Sequence, residues 1–395
     1  VFVTYVSMVM ALQSFAIDAM LPALGLMARD LGGIAENDRQ WIIAAFPISA
    51  GLGALIPGSL ADRFGRRPIL LVALTSYSLT ALACAFAQSF TAMIALRVVS
   101  GFSAAGLSVL PMALIRDRAN GDTMARLQSL MMTVFMIVPV LAPIVGQGLL
   151  WLGSWRLIFV AMALLGFAIA LWTLLRVEET LDTAHRQPIR PSAIWANVRS
   201  VFRTRASSVY IVVQTLLLGA MFGFINSSQQ LIAEAFSKPR QYPIILAVLI
   251  SALCAGNYAN SRLVERAGAR VVCFRGLLTY ASCSFLLIIV ASQAHPSLEL
   301  IGLAVGAAFF SQGFITGNAN ALAMGPFARS AGSASSVLSF VRVVGSSALG
   351  ALIGQAYNGT ARPFAYAMLG TSLFAITLIH WLNSDIDRST QRCRF

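Results

Sequence analysis

Charge in this chain is confined to short clusters, and the stretches between them run for 18 or more residues with no charged residue or only one. As an α-helix, such a stretch crosses the ~30 Å hydrocarbon core of a bilayer, and the helix pairs every backbone N–H and C=O within itself. Twelve windows of this kind are bounded by charges, Gly or Pro: 2–27, 41–61, 68–89, 91–115, 127–150, 156–175, 207–233, 242–261, 271–294, 298–324, 332–358 and 363–384. Composition agrees, since 58% of the 395 residues are hydrophobic and 11% are charged, against about 25% charged in soluble domains. The expected fold class is therefore an all-α polytopic membrane protein with twelve transmembrane helices.

The charges that do occur orient the chain. Connectors after even-numbered spans, together with the carboxyl tail, hold 19 basic residues against 5 on the other side, which places both termini in the cytoplasm. The same distribution argues against a nucleic-acid partner for the net charge of +13, because the arginines lie in connectors and form no helical stripe interleaved with stacking aromatics. Cys84, Cys254, Cys273, Cys283 and Cys393 show no C-x-x-C spacing and His185, His295 and His380 are scattered, so neither a metal site nor a redox pair is expected. The opening apolar run of about 25 residues exceeds a signal-peptide core and reads as a retained first span. It starts without an initiator Met, so a few natural residues are expected ahead of Val1.

The longest connector divides the chain into an expected six-helix bundle over 1–176, a cytoplasmic linker over 177–206 and a second six-helix bundle over 207–395. In the linker, Ile194, Trp195, Val198, Val201 and Phe202 recur at helical spacing with Arg199, Arg203 and Arg205 between them. That pattern suggests a short amphipathic helix on the inner membrane surface. An internal repeat supports the two-bundle division: Asp62-Arg63-Phe64-Gly65-Arg66-Arg67 between spans 2 and 3 recurs as Glu265-Arg266-Ala267-Gly268-Ala269-Arg270 between spans 8 and 9. Both read acid-Arg-x-Gly-x-Arg, and a parallel duplication of this kind is expected to place the substrate site between the halves, near the bilayer midplane.

The stretch from Gly58 to Pro68, G-S-L-A-D-R-F-G-R-R-P, resembles the loop 2-3 signature of the major facilitator superfamily. Further motifs resemble its twelve-span drug:proton antiporters. These are D-x-x-x-P at Asp18 to Pro22, R-x-x-x-G at Arg97 to Gly101, and a span 5 pattern formed by Pro139, Ala142, Pro143 and Gly146. With Asn260-Ser261-Arg262 and Gly332-Ser333-Ala334-Ser335-Ser336, the pattern is most similar to the bicyclomycin and chloramphenicol resistance (Bcr/CflA) group. Ala142, Gln147 and Ser100 depart from the usual motifs. The resemblance implies the two-bundle fold of that superfamily, a bacterial inner-membrane location, a monomer and no cofactor, with the proton gradient as the energy source. It implies conformational gating by Gly58, Asp62, Arg63, Gly65, Arg66, Arg67, Pro139, Pro143 and Gly146.

Asp18, Arg97 and Arg342 are the charges deepest within the spans, and an ionised group in hydrocarbon costs several kcal/mol unless it meets water or a partner. Helix rise places Asp18 about 13 Å and Arg97 about 9 Å below the outer side, so the two are able to meet. Two readings stand: Asp18 alternates between proton and substrate with Arg97 setting its proton affinity, or the two form a static ion pair. Arg342 has three: a substrate contact, a partner to carbonyls at a helix break, or a partner to another side chain. Gln229, Gln312 and Asn318, with Gln214, Asn226, Asn257 and Asn320, are candidates for a substrate-facing wall or for interhelical hydrogen bonds. Phe15, Phe46 and Phe222 are candidate cavity aromatics. The leading expectation is proton-driven export of small drug-like molecules by alternating access. The alternative is proton symport of a sugar or organic anion on the same fold. No phosphate loop, nucleophile-base pair or metal cluster points to an enzyme.

Overall fold

In the computed structural model the apolar runs fold as helices over the described residues 2–32, 35, 37–119, 121–181 and 199–392, and no strand occurs among them. The helices are α1 (Phe2–Asp18), α2 (Leu24–Asp30), α3 (Gln40–Gly53), α4 (Leu55–Phe64), α5 (Arg66–Ala85), α6 (Phe90–Arg118), α7 (Gly121–Leu152) and α8 (Arg156–Arg176). They continue with α9 (Arg205–Gln229), α10 (Tyr242–Ala267), α11 (Ala269–Ala291), α12 (Leu298–Met324), α13 (Ala331–Gln355) and α14 (Arg362–Arg392). Ten spans are long and apolar enough to cross a membrane, and the pair α3 and α4, bent by 46°, makes an eleventh. The remaining expected span falls on α7, a continuous helix of 32 residues with Pro139 and Pro143 inside it.

Two of the expected spans are broken, and the same chemistry accounts for both. A proline lacks the N–H that the carbonyl four residues earlier would accept, and its ring crowds that carbonyl. Pro22 stands four residues after Asp18, the last residue of α1, and a 3-10 turn over Leu21–Ala23 follows. Pro57 stands four residues after Gly53, the last residue of α3. Pro47, Pro111, Pro139 and Pro143 sit inside helices that continue past them, so proline permits a break that packing then selects or overrides.

The chain resolves into two compact units, Val1–Arg190 with Pro239–Ala247, and Pro191–Lys238 with Val248–Phe395. Within the first unit α1 packs on α6, α7 and α8, while α5 packs on α6 and α8. Within the second, α9 packs on α12, α13 and α14, while α11 packs on α12 and α14. These are the same pairings shifted by six spans, as a parallel duplication requires. Large apolar side chains remain exposed on the helices of both units, among them Val72, Leu79 and Leu164 in the first and Leu303 and Leu352 in the second, as a lipid-facing surface demands. Cys84, Cys254, Cys273 and Cys283 form no disulfide among the described residues. His185, Cys393 and the linker residues Ile194, Trp195 and Val198 lie outside the described residues. Residues 199–203 are helical, with Val201 buried and Phe202 exposed.

Candidate functional site

Asp18 closes α1 at the Pro22 break, and its side chain is buried. The Ser14 hydroxyl, one helical turn earlier, donates to Asp18 Oδ2 at 2.9 Å. Arg97, in the middle of α6, is 1% exposed. The static Asp18–Arg97 ion pair, one of the two readings of the sequence, does not occur among the described residues. Arg97 Nε donates instead to the Ile42 carbonyl at 2.9 Å, and one of its terminal nitrogens donates to the Ala16 carbonyl at 3.1 Å. Its guanidinium lies 4.4 Å from the centre of the Phe46 ring. The physical reason is the break itself: the last carbonyls of α1 form the negative end of a helix, and a guanidinium satisfies them as a C-terminal cap. Arg97 is thus tied to the helix end that carries Asp18, not to its carboxylate.

Two glycines make this arrangement possible. A Cβ at Gly101, one turn after Arg97, would collide with Ser49 Oγ and the Phe46 carbonyl. The R-x-x-x-G spacing therefore lets α6 lie against α3 with Arg97 over Phe46. On the other flank, a Cβ at Gly146 of α7 would collide with the Ala19 carbonyl, directly after Asp18. Pro139 and Pro143 stand about two turns and one turn before Gly146 in the same helix. The span 1, span 4 and span 5 motifs consequently converge on one place, the broken end of α1.

A second cluster lies at the loop between α4 and α5. Gly65 adopts φ +105° and ψ 154°, a region open essentially to glycine alone. Arg66 is buried and pairs with Asp62 at 2.7 Å and with Asp117 at 3.0 Å. Glu179 accepts the backbone N–H groups of Arg66 at 2.9 Å and Arg67 at 3.2 Å, capping the start of α5. The Thr180 hydroxyl donates to Asp117, and Arg67 donates to the Leu174 carbonyl at 2.7 Å. A Cβ at Gly65 would strike the Glu179 carboxylate, so the glycine serves both the turn and the cap. Arg63 lies outside the cluster with its guanidinium over Phe64, and Gly58 approaches Val109. Sequence reading missed Asp117 and Glu179. A usable signal existed, because acidic residues are scarce in this chain and both sit at the end of a span.

No hydrogen bond joins the second-unit candidates to one another among the described residues. Gln229 is buried at the end of α9, where a π-helical stretch over Gln230–Ala235 begins, and its amide nitrogen donates to Glu234 at 3.3 Å. Gln312 is buried with its side-chain oxygen unpartnered. Asn318 donates to Asn260 at 2.7 Å and to the Phe314 carbonyl at 2.8 Å, which ties α12 to α10 and commits both of its amide hydrogens. Arg342, half-buried in α13, has no hydrogen-bond or ion-pair partner among the described residues. Gly332, Ser333 and Ala334 belong to α13, and Ser335 and Ser336 are exposed there. No group of three or more metal-ligating side chains occurs among the described residues.

Comparison with known proteins follows the same lines. Residues 6–351 match the family model of the Major Facilitator Superfamily. The chain is 27% identical over 387 residues to the bicyclomycin resistance protein homolog of Haemophilus influenzae, covering 97% of this chain and 96% of that protein. It is 30% identical over 346 residues to the multidrug resistance protein MdtL of Klebsiella pneumoniae, covering 86% and 85%. Among solved structures, the xylose transporter XylE of Escherichia coli superposes with a TM-score of 0.73 at 12% identity over 96% of both chains. The human organic anion transporter MFSD10 gives 0.70 at 18% identity, covering 95% of this chain and 98% of that one.

Proposed function

The chain belongs to the Major Facilitator Superfamily, a family of membrane transporters and not of enzymes, and from that premise we propose that it exports small drug-like molecules in exchange for protons. The observation that carries the reading is the buried carboxylate at a broken helix, held where three separate motifs meet. Among the described residues Asp18 is the one acidic side chain in that place, and its partner is a neutral serine, so a proton bound there is not displaced by a fixed cation. Arg97 stays bonded to backbone carbonyls and acts on Asp18 through the end of α1. Movement of α1 or α7 at the Gly146–Ala19 contact then changes what surrounds the carboxyl group, which is the coupling an antiporter needs. The names of the relatives, a bicyclomycin resistance homolog and a multidrug resistance protein, favour drug-like substrates and the export direction over uptake of a sugar or organic anion.

In this reading the protein works as a monomer in a bacterial inner membrane, with both termini cytoplasmic and no cofactor. Asp18 binds proton and substrate in turn, and Arg342, Gln229 and Gln312 offer hydrogen-bonding groups to the substrate. Asn318 serves the α10–α12 packing. The deciding experiment adds a fluorescent drug to the outside of inside-out vesicles with an imposed pH gradient. Wild type accumulates the drug when the lumen is acidic, and Asp18→Asn abolishes this gradient dependence while the protein still inserts. Undiminished pH-driven transport by Asp18→Asn would remove the proton role, and drug movement in the opposite direction would turn the reading to symport. Arg97→Lys is expected to behave like a partial loss, since one ammonium cannot serve two carbonyls and stack on Phe46 together.

A further inference from the structure

In the second acid-Arg-x-Gly-x-Arg segment Ala269 stands where Arg66 meets its two carboxylates in the first. Arg266 and Arg270 are exposed, and no ion pair to either occurs among the described residues. Arg262, one turn before Arg266, reaches only the hydroxyl of Tyr258 at 3.3 Å and lies 5.7 Å from the centre of its ring. A groove opens here between α10 and α12, lined by Ala259, Arg262, Leu263, Glu265, Arg266 and Phe314. Residues four apart share a helix face, so Arg262 and Arg266 present two guanidinium groups side by side. Next to them, Tyr258 and Leu263 stand exposed, giving an apolar border to the charged floor.

We propose that this groove binds the phosphate of an anionic phospholipid, with Arg262 and Arg266 on the phosphate oxygens and Tyr258 and Leu263 against the start of the acyl chains. The chemistry is that of basic pockets between membrane helices on the arginine-rich side of the bilayer, where paired guanidinium groups meet lipid headgroups. Glu265 on the groove wall opposes the anion, so removing its charge strengthens binding.

Native mass spectrometry of the full-length chain in detergent, with equal amounts of phosphatidylglycerol and phosphatidylcholine added, tests the site. Wild type is expected to retain phosphatidylglycerol several-fold over phosphatidylcholine. The double variant Arg262→Gln/Arg266→Gln lowers that retention by about tenfold, and Glu265→Gln raises it by about threefold. The pair Arg116→Gln/Arg176→Gln, equally exposed on the first unit, leaves it unchanged. Equal retention by the Arg262/Arg266 variant, or an equal loss in the Arg116/Arg176 pair, would overturn the proposal. Displacement of the lipid by millimolar inorganic phosphate would overturn it in favour of a free-phosphate site. All these positions are exposed, and a thermal melt within error of wild type for each variant keeps a folding defect from imitating lost binding.

Discussion

The loop between α4 and α5 and the loop between α10 and α11 share a sequence pattern and a backbone shape, yet only the first is built into a charge network. Gly65 and Gly268 both sit at positive φ with ψ near extended, at +105° and +78°. Arg63 corresponds to Arg266 and Arg67 to Arg270, but Arg66 corresponds to Ala269. That one residue joins Asp62 to Asp117, and the helix start behind it is capped by Glu179. At Gly268 a Cβ would meet nothing, whereas at Gly65 it would meet Glu179. Backbone geometry therefore depends on the glycine and the shared pattern, while the network depends on Arg66 and on acids contributed from far along the chain.

Substitutions that break the first copy and spare the second sharpen this contrast. The largest effect belongs to Arg66→Ala, which strands the mostly buried Asp117 without its cation and is expected to cost about 3 kcal/mol, the low end for a broken buried pair because Asp62 is half-exposed. Arg266→Ala should stay within about 0.5 kcal/mol of wild type, and thermal melts of the two variants in detergent make the comparison. Equal melting temperatures would mean that the network contributes nothing to stability. Next in size is Gly65→Ala, which meets backbone strain of about 1–3 kcal/mol and displaces Glu179 as well. Gly268→Ala meets the strain alone, so the difference between the two reports the Glu179 cap. Glu179→Ala, at about 1 kcal/mol, removes that cap directly. A Gly65→Ala/Glu179→Ala double variant should then lose less than the sum of the singles, because the steric conflict has gone.

How much of this was legible in the sequence depends on whether the interaction is local. Apolar runs fixed by bilayer thickness give helices wherever they were expected, and the repeat announces a six-span unit whose pairings recur in both halves. Breaks were partly legible: Pro22 and Pro57 end helices, but Pro47 and Pro111 do not, and packing decides between them. Depth arithmetic brought Arg97 to the level of Asp18, as the bond to Ala16 bears out, yet rise along an axis says nothing of the direction a side chain takes. The competing acceptors, backbone carbonyls of Ile42 and Ala16, leave no mark on residue identity. Asp117 and Glu179 lie 51 and 113 residues from Arg66, beyond any spacing rule, and only the fold brings them to the loop.

The smallest expected effect is the most discriminating, because it attempts to create the network where it is missing. Ala269→Arg restores the full motif in the second copy and leaves the backbone at Gly268 untouched. If the motif alone organised the loop, the new arginine would find a partner and raise the melting temperature. The first copy argues otherwise: Arg66 is held by two carboxylates, one of them, Asp117, on α6, and in the second copy the pattern itself supplies only Glu265. An exposed Arg–Glu pair four residues apart contributes about 0.3–0.5 kcal/mol at low salt and less as ionic strength rises. Ala269→Arg is therefore expected to shift the melting temperature by no more than about 1–2 °C for a chain of this size, with the shift vanishing in high salt. A larger, salt-resistant stabilisation would mean that a buried acid faces position 269 after all, and the asymmetry between the two loops would then rest on one residue and not on the acids around it.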